Sequence, residues 1–429
     1  MSALAAALVN RERAAAYMDA AKLDAVLGTS PTGVRYLSGY WCWLAPLFRE
    51  FMVSPGGSGQ LAVRNFALLP RHGDPCLVLE PLWALDSFQT WVADIRIAGA
   101  ARFRLEYGQE AVPEELATLL GRLRSGQWPL DPIDALAESL RDRGLADARI
   151  GVELEGMRDS ELQRLRFQLP RAQLLDCTNL LRLVRAQKTP LEIEALERAA
   201  NIAEGAAIEV LRAAGPGDTV SALANAFRAR VGAAGADFDH FALGPRGLGF
   251  LTAGGPALEA GDAMYVDFGC VCDGWFSDSG STFCVGEPAA AAAAQHDAVR
   301  DCVAAGAAAI APGVRASTVQ AAMAAALAEH EIFESFPHGH GLGLDVRDHP
   351  LLVAALDGAR IRDDCVELDA DLWLEPGMVV NLEAPVLTPG VRSVHCERTF
   401  LVTAGGCRDL VPQDRAAPIC AVAGRAART

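Results

Sequence analysis

Asp267 and Asp278 stand eleven residues apart in the stretch AMYVDFGCVCDGWFSDSGSTFCV, residues 263–285. Ala263 to Cys272 is apolar and β-branched enough for a buried strand, Asp273-Gly274 is a strong two-residue hairpin signal, and Trp275 to Val285 reads as the returning strand. With that turn Asp278 falls opposite Gly269, which shares a face with Asp267 because side chains alternate with period two. The two carboxylates are then diagonal neighbours. Held together on an apolar strand pair they repel each other and lose hydration, which a bound cation offsets. The other reading of the hairpin taken alone is that both acids point to solvent.

More residues of this kind follow. His340 lies in the run PHGHGLGLDV, residues 337–346, where flanking glycines let a histidine approach a site closely. His338 beside it reads as a packing or loop residue. GMVVNLE, residues 377–383, reads as a strand ending in Glu383, and HCERTFLVT, residues 395–403, as a strand with Glu397 near its start.

The elements that must position these groups are those of a long two-part chain. A length of 429 residues with 51% hydrophobic and 21% charged composition indicates a soluble, globular protein with more than one core. A net charge of -16 argues against nucleic acid or an anionic membrane as partner. No segment is long enough to span a bilayer, and the N-terminal stretch reads as an amphipathic helix rather than a signal peptide. Eleven cysteines without a CxxC pair fit a reducing, cytoplasmic setting, and Cys270 and Cys272 read as small packing residues rather than metal ligands.

Up to about residue 180 the pattern alternates helix and strand (a helix to Ala21, then DAVLG, VRYLSGY, GQLAVRNFALLP and CLVLE as strands, a helical AVPEELATLLGRLRS, and RIGVELE), an α/β module without a ligand cluster. Within it Trp41 and Trp43 are read either as a local core or as a pocket wall, the latter across a dimer contact. Thr189-Pro190-Leu191-Glu192 signals a helix start by its capping box and first-turn proline. The boundary falls near 180–189, giving domains of 1–182 and 183–429. The second continues with helices at 190–211 and 220–231, a Gly/Pro-rich stretch at 244–255, the hairpin, and alanine-rich helices at 287–310 and 317–330.

The second half resembles the pita-bread metallohydrolases: methionine aminopeptidase, aminopeptidase P, prolidase and creatinase. In that family an Asp, a second Asp eleven residues on, a His in a GHG-like loop, a Glu after GMVV and a Glu in an E-x-x-x-L-V-T strand hold two metal ions. The matching positions are Asp267, Asp278, His340, Glu383 and Glu397. The first half resembles the N-terminal domain of the prolidase and creatinase branch. The resemblance implies an α/β (α+β) chain, a creatinase-like N-terminal domain followed by a pita-bread domain with a curved antiparallel sheet flanked by helices. It also implies a homodimeric metallohydrolase acting on a small-molecule substrate. Four carboxylates and one imidazole suit Mn, Fe, Co or Zn, and two such ions would activate water toward an electrophile.

The pattern departs from the family where its peptidases place substrate-binding histidines. Those positions carry Arg347, Phe336 and Phe250 or Leu251, which puts ordinary Xaa-Pro peptide hydrolysis in question. Arg347 offers a bidentate clamp for a substrate carboxylate, or pairs with Asp345 or Asp348. His395, two residues before Glu397, shares its face and is the candidate proton carrier, with His349 as a second. Phe250 and Phe336 become candidate substrate contacts. The expected reaction is hydrolysis of a C–N bond in a small carboxylated substrate. The alternatives are a metal-dependent lyase of the dimethylsulfoniopropionate type, a conventional Xaa-Pro aminopeptidase or dipeptidase, and a non-catalytic binding module.

Overall fold

The structure, a computed structural model, describes residues 8–42, 52–53, 59–60, 64–99, 114–411 and 417–421. The chain forms two compact units, one of Met1–Arg185 with Ile361–Leu368 and the other of Ala186–Arg360 with Asp369–Thr429. The limit drawn at 182/183 lies inside the helix Thr178–Ala186. The return of 361–368 to the first unit carries no local sequence signal. It is held by Asp363, whose Oδ2 accepts from the N–H groups of Asn179 and Leu180 at 2.8 and 3.0 Å, as a helix N-terminus favours.

In the first unit, helix α1 (Arg11–Ala21) is capped by Asn10. The sheet comprises β1 (Ala25–Gly28), β2 (Phe66–Pro70), β3 (Cys76–Leu79), β4 (Asp94–Ile97), β5 (Arg149–Val152) and β6 (Gln173–Asp176), ordered β4-β3-β2-β1-β5-β6. Its central β1 runs antiparallel to β2 and parallel to β5. VRYLSGY is not a strand: Pro31–Ser38 forms helix α2. Val34 and Tyr36 favour a strand, but both ends favour a helix. Ser30 accepts from Gly33 N–H at 2.9 Å, Pro31 opens the first turn, and Gly39 at φ 74 closes the last.

The second unit packs helices α3 (Pro190–Arg212), α4 (Val220–Ala233), α5 (Ala290–Ala309) and α6 (Ala316–Glu329) on a ten-stranded sheet. The strands used below are β7 (Asp237–Gly244), β8 (Ala263–Cys272), β9 (Ser279–Cys284), β10 (His338–Gly341), β11 (Asp348–Leu352), β12 (Val379–Thr388) and β13 (Arg392–Thr403). They run antiparallel in the order β8-β9-β13-β12-β10-β11, with β7 on the other side of β8.

The hairpin turns at Asp273 and Gly274, at φ 49 and 84, the left-handed pair a two-residue turn needs. The returning strand is broken, not continuous. Trp275 and Phe276 pair with Cys272 and Val271, Ser277 and Asp278 leave the ladder, and β9 rejoins with Asp267 opposite Gly280. Ser277 bridges the gap, its N–H donating to Cys270 O at 2.8 Å and its Oγ accepting from Cys270 N–H at 2.9 Å.

Alternation divides the faces. Met264, Val266, Phe268 and Cys270 join one core with α3 and α4, while Val380, Leu382, Ala384, Val394 and Cys396 join another with α5 and α6. Their odd-numbered neighbours therefore occupy the opposite face. Among the described residues no helix is long and apolar enough to cross a membrane.

Candidate metal centre

The face opposite the helices carries the chemistry in register. One row crosses the sheet: His338 on β10 pairs with Glu383 on β12, Glu383 with Glu397 on β13, Glu397 with Gly280 on β9, and Gly280 with Asp267 on β8. A second row sets His340 beside Asn381 and Asn381 beside Thr399. His340 thus stands on a strand rather than in a loop, and Glu383 and Glu397 lie in mid-strand rather than at strand ends. Asp278, freed from the ladder, enters where the rows meet.

The four acids and one histidine expected as ligands are brought together. Ligand atoms of Asp278, His340 and Glu397 lie within 4.8 Å of one another, as do those of Glu383, His395 and Glu397, and those of His240, Asp267 and Asp278. His340 Nε2 is 3.4 Å from Asp278 Oδ2 and 3.8 Å from Glu383 Oε1. Its Nδ1 is 3.0 Å from Gly341 O. Gly280 makes the row possible, because a Cβ there would stand 2.2 Å from His395 Cδ2 and 2.7 Å from Glu397 Oε2.

The charge balance is that of a cation site. Burial, reinforced by Asp278, Asp267 and Glu383, pushes the Glu397 carboxyl well above its ordinary range. Burial also pushes Asp278 up, but hydrogen bonding to His240 and His340 outweighs it and holds Asp278 below the usual carboxylate range. His340 Nε2 is buried and has no hydrogen-bond partner, although Asp278 and Glu383 are close. A lone pair aimed between carboxylates without hydrogen-bond geometry, beside an acid that cannot readily ionise, fits a divalent ion and fits a purely structural network poorly. Asn381 Nδ2 supports the set, donating to Asp278 O at 3.0 Å and to Glu397 Oε1 at 2.9 Å.

The remaining expected residues divide. His395 shares the face, its Nε2 3.0 Å from Glu397 Oε2, but its ring is fully buried and lies 4.2 Å from the Tyr265 ring. Burial lowers its pKa. Arg347 Nη2 donates to Glu383 Oε1 at 3.1 Å from a side chain 57% exposed. Phe250 is half exposed and packs edge-on against Tyr265 at 4.9 Å, and Phe336, also exposed, stacks on His338 at 5.5 Å. Both phenylalanines therefore touch residues of the site. His349 is half-buried on β11 and belongs to none of the three clusters. Trp41 lies in the first unit with the Arg35 guanidinium 4.9 Å over its ring, and Trp43 falls outside the described residues.

Three groups were not anticipated. His338 is not a packing residue: its Nε2 is 2.7 Å from Glu383 Oε1, and that carboxylate, against the opposing effect of burial, raises its pKa. Tyr265 donates its hydroxyl to Asp267 Oδ2 at 2.7 Å. His240 on β7 places Nε2 2.8 Å from Asp267 Oδ1 and 3.4 Å from Asp278 Oδ1, with Nδ1 2.7 Å from Asp239 Oδ2. Burial opposes its charge, yet the three carboxylates raise its pKa to about 12. Tyr265 and His338 could have been found by stepping two residues from Asp267 and His340. No such step leads to His240.

The chain matches two family models, the metallopeptidase family M24 over residues 194–404 and the creatinase/prolidase N-terminal domain over residues 10–187. It is 29% identical over 285 residues to an uncharacterized peptidase, YqhT, of Bacillus subtilis, covering 65% of this chain and 76% of that protein. It is 32% identical over 245 residues to a probable dipeptidase, PepE, of Mycobacterium tuberculosis, a match spanning 53% of this chain and 59% of that protein. In fold it resembles the Xaa-Pro dipeptidase from Bacillus anthracis, with a TM-score of 0.69 at 22% identity over 94% of this chain and 98% of the other.

Proposed function

From the premise that the chain belongs to metallopeptidase family M24 and carries the creatinase and prolidase type of N-terminal domain, we propose that it is a dinuclear metal-dependent hydrolase. Its substrate would be small, with a C–N bond to cleave and a free carboxylate to hold. The observation that supports this most is the in-register row of His338, Glu383, Glu397, Gly280 and Asp267, with Asp278 and His340 beside it.

Asp267, Asp278, His340, Glu383 and Glu397 would hold the ions, and their oxygen and imidazole donors admit Mn, Fe, Co or Zn. Ions there would lower the pKa of water and polarise a carbonyl. The chain's own groups do the rest. His395 contacts Glu397 Oε2 from beneath and holds a proton at that oxygen. Arg347, more than half exposed, has free room on its fork for a bidentate substrate carboxylate. Phe250 and Phe336 offer apolar walls that exclude water beside Tyr265 and His338. A homodimer is part of the proposal, read from the family resemblance and testable by light scattering.

Relatives named as dipeptidases make short peptides the first substrates to try. Hydrolysis of a dipeptide panel should stop on exhaustive chelation and return with Mn, Co or Zn. Because Phe250, Phe336 and Arg347 stand where Xaa-Pro peptidases carry histidines, Xaa-Pro substrates should fall well below a kcat/KM of about 10⁵ M⁻¹s⁻¹, inside the ordinary enzyme range. Incorporation of ¹⁸O from water into the product is expected. A product without ¹⁸O would replace hydrolysis by elimination, and full activity of verified metal-free protein would refute the metal reading.

A further inference from the structure

We infer that His240 is a sixth protein ligand, binding the ion held by Asp267 and Asp278, so that this centre has an imidazole donor at each end rather than at one. The inference rests on the metal reading above and goes beyond its five residues.

The geometry of His240 repeats that of His340, the histidine already placed among the ligands. In both, Nδ1 is engaged by an oxygen of the adjacent chain: Gly341 O at 3.0 Å for His340 and Asp239 Oδ2 at 2.7 Å for His240. In both, Nε2 faces carboxylates: without a hydrogen-bond partner toward Asp278 for His340, and at 2.8 Å from Asp267 Oδ1 and 3.4 Å from Asp278 Oδ1 for His240. An ion that displaces the proton His240 Nε2 shares with Asp267 would meet a ring whose far nitrogen is held by a carboxylate, the arrangement that metal-binding histidines ordinarily have. Asp278 is approached from both sides, its Oδ1 by His240 and its Oδ2 by His340, each at 3.4 Å. With one oxygen toward each imidazole, Asp278 would contribute to metal binding alongside either histidine.

The backbone makes room for this ring. His240 pairs with Gly269 across β7 and β8, where a Cβ would lie 2.4 Å from His240 Cε1. The ladder shifts register between Gly269 and Cys270, next to that pair. Bulges of this kind re-aim side chains at functional sites. A ring wanted only for packing would not need both its nitrogens set against acids. A second imidazole moves donor preference from Mn toward Co or Zn at that position.

The test uses the full chain loaded with Zn²⁺, with two readouts: ion count by elemental analysis, and a crystal structure in which anomalous scattering places each ion. The expected result is an ion with His240 Nε2 at about 2.0–2.1 Å, the Zn–N distance, together with oxygens of Asp267 and Asp278. Two bound ions with His240 Nε2 more than 3 Å from both, still on an Asp267 oxygen, would overturn the sixth ligand and leave the five-residue centre standing. No bound zinc by either measurement would overturn both. In solution, ¹¹³Cd-loaded protein with ¹⁵N-labelled histidine should show a Cd–N coupling that disappears in His240→Gln while the His340 coupling persists. A wild-type spectrum with the His340 coupling alone would again sink the proposal.

Discussion

Glu383 and Glu397 are directly paired across β12 and β13, two buried carboxylates facing one another with Asn381 Nδ2 on Glu397 and His338 Nε2 on Glu383. Directly opposed like charges on neighbouring strands destabilise a sheet, so the pair marks a place where folding is poorer without a cation than with one.

The first prediction follows from that pair. Asp278→Asn and Glu397→Gln should weaken metal binding by more than 100-fold, beyond the 10- to 100-fold typical of losing an outer partner. Glu397→Gln should also raise the Tm of metal-free protein, since it removes a carboxyl whose ionisation burial opposes. Metal titration and thermal unfolding of apo and loaded protein check both. A Glu397→Gln variant that keeps its ions would remove Glu397 from the set.

Gly280→Ala should damage the site without touching a ligand. The added Cβ would meet His395 and Glu397 at 2.2 and 2.7 Å, so both must move. A destabilisation of about 1–3 kcal/mol, the range for an overpacked core, is expected with lost metal affinity. Denaturant unfolding with and without Zn²⁺ reads it, and a variant with wild-type affinity would show that the row tolerates displacement.

Arg347 and His395 should separate binding from turnover. Arg347→Ala should raise KM for a carboxylated substrate about 10- to 100-fold, the equivalent of a charge-assisted bond worth ~1.5–3 kcal/mol, and Arg347→Lys should not restore it because the fork is lost. His395→Ala should lower kcat about 100-fold or more, the scale of a lost proton carrier, with little change in KM. Steady-state kinetics at fixed metal loading decide. An unchanged KM removes the clamp, and an unchanged kcat removes the proton role.

His296 predicts a pH dependence away from the metal centre. It is buried on α5 with Nδ1 2.9 Å from Thr282 Oγ1, and burial lowers its pKa to about 4. Its unfolded value near 6.5 is higher, so the unfolded chain takes up the proton first as pH falls. The stabilising contribution is therefore full above about pH 6.5 and is lost as pH falls toward about 4. The slope should reach about 1.2 kcal/mol per pH unit near the middle of that window, and His296→Gln should flatten it in denaturant titrations of metal-free protein.

The hairpin was legible because Asp273-Gly274 dictates a two-residue turn, and a two-residue turn dictates register; Asp267 and Gly280 pair as that turn requires. The five residues were legible as candidate ligands because each sits in a short, distinctive stretch. What stayed hidden depended on strands distant in sequence. His240 lies 27 residues before Asp267 and reaches it only because β7 pairs with β8, which sets it opposite Gly269 and diagonal to Asp267. The segment 361–368 gave no sign of joining the first unit, since Asp363 has its partners 184 and 183 residues away. Pro31–Ser38 reads locally as a strand because the β-branched and aromatic residues inside it compete with caps at its ends, and burial of its whole middle settles the contest for the helix. The sequence by itself determined which residue types were available and on which face of each strand they lie, because alternation is local. Which faces meet, and therefore that His240 and His338 join the acids and that the buried His395 meets Glu397 against the Tyr265 ring, was decided only by strand pairing, which depends on contacts no local pattern encodes.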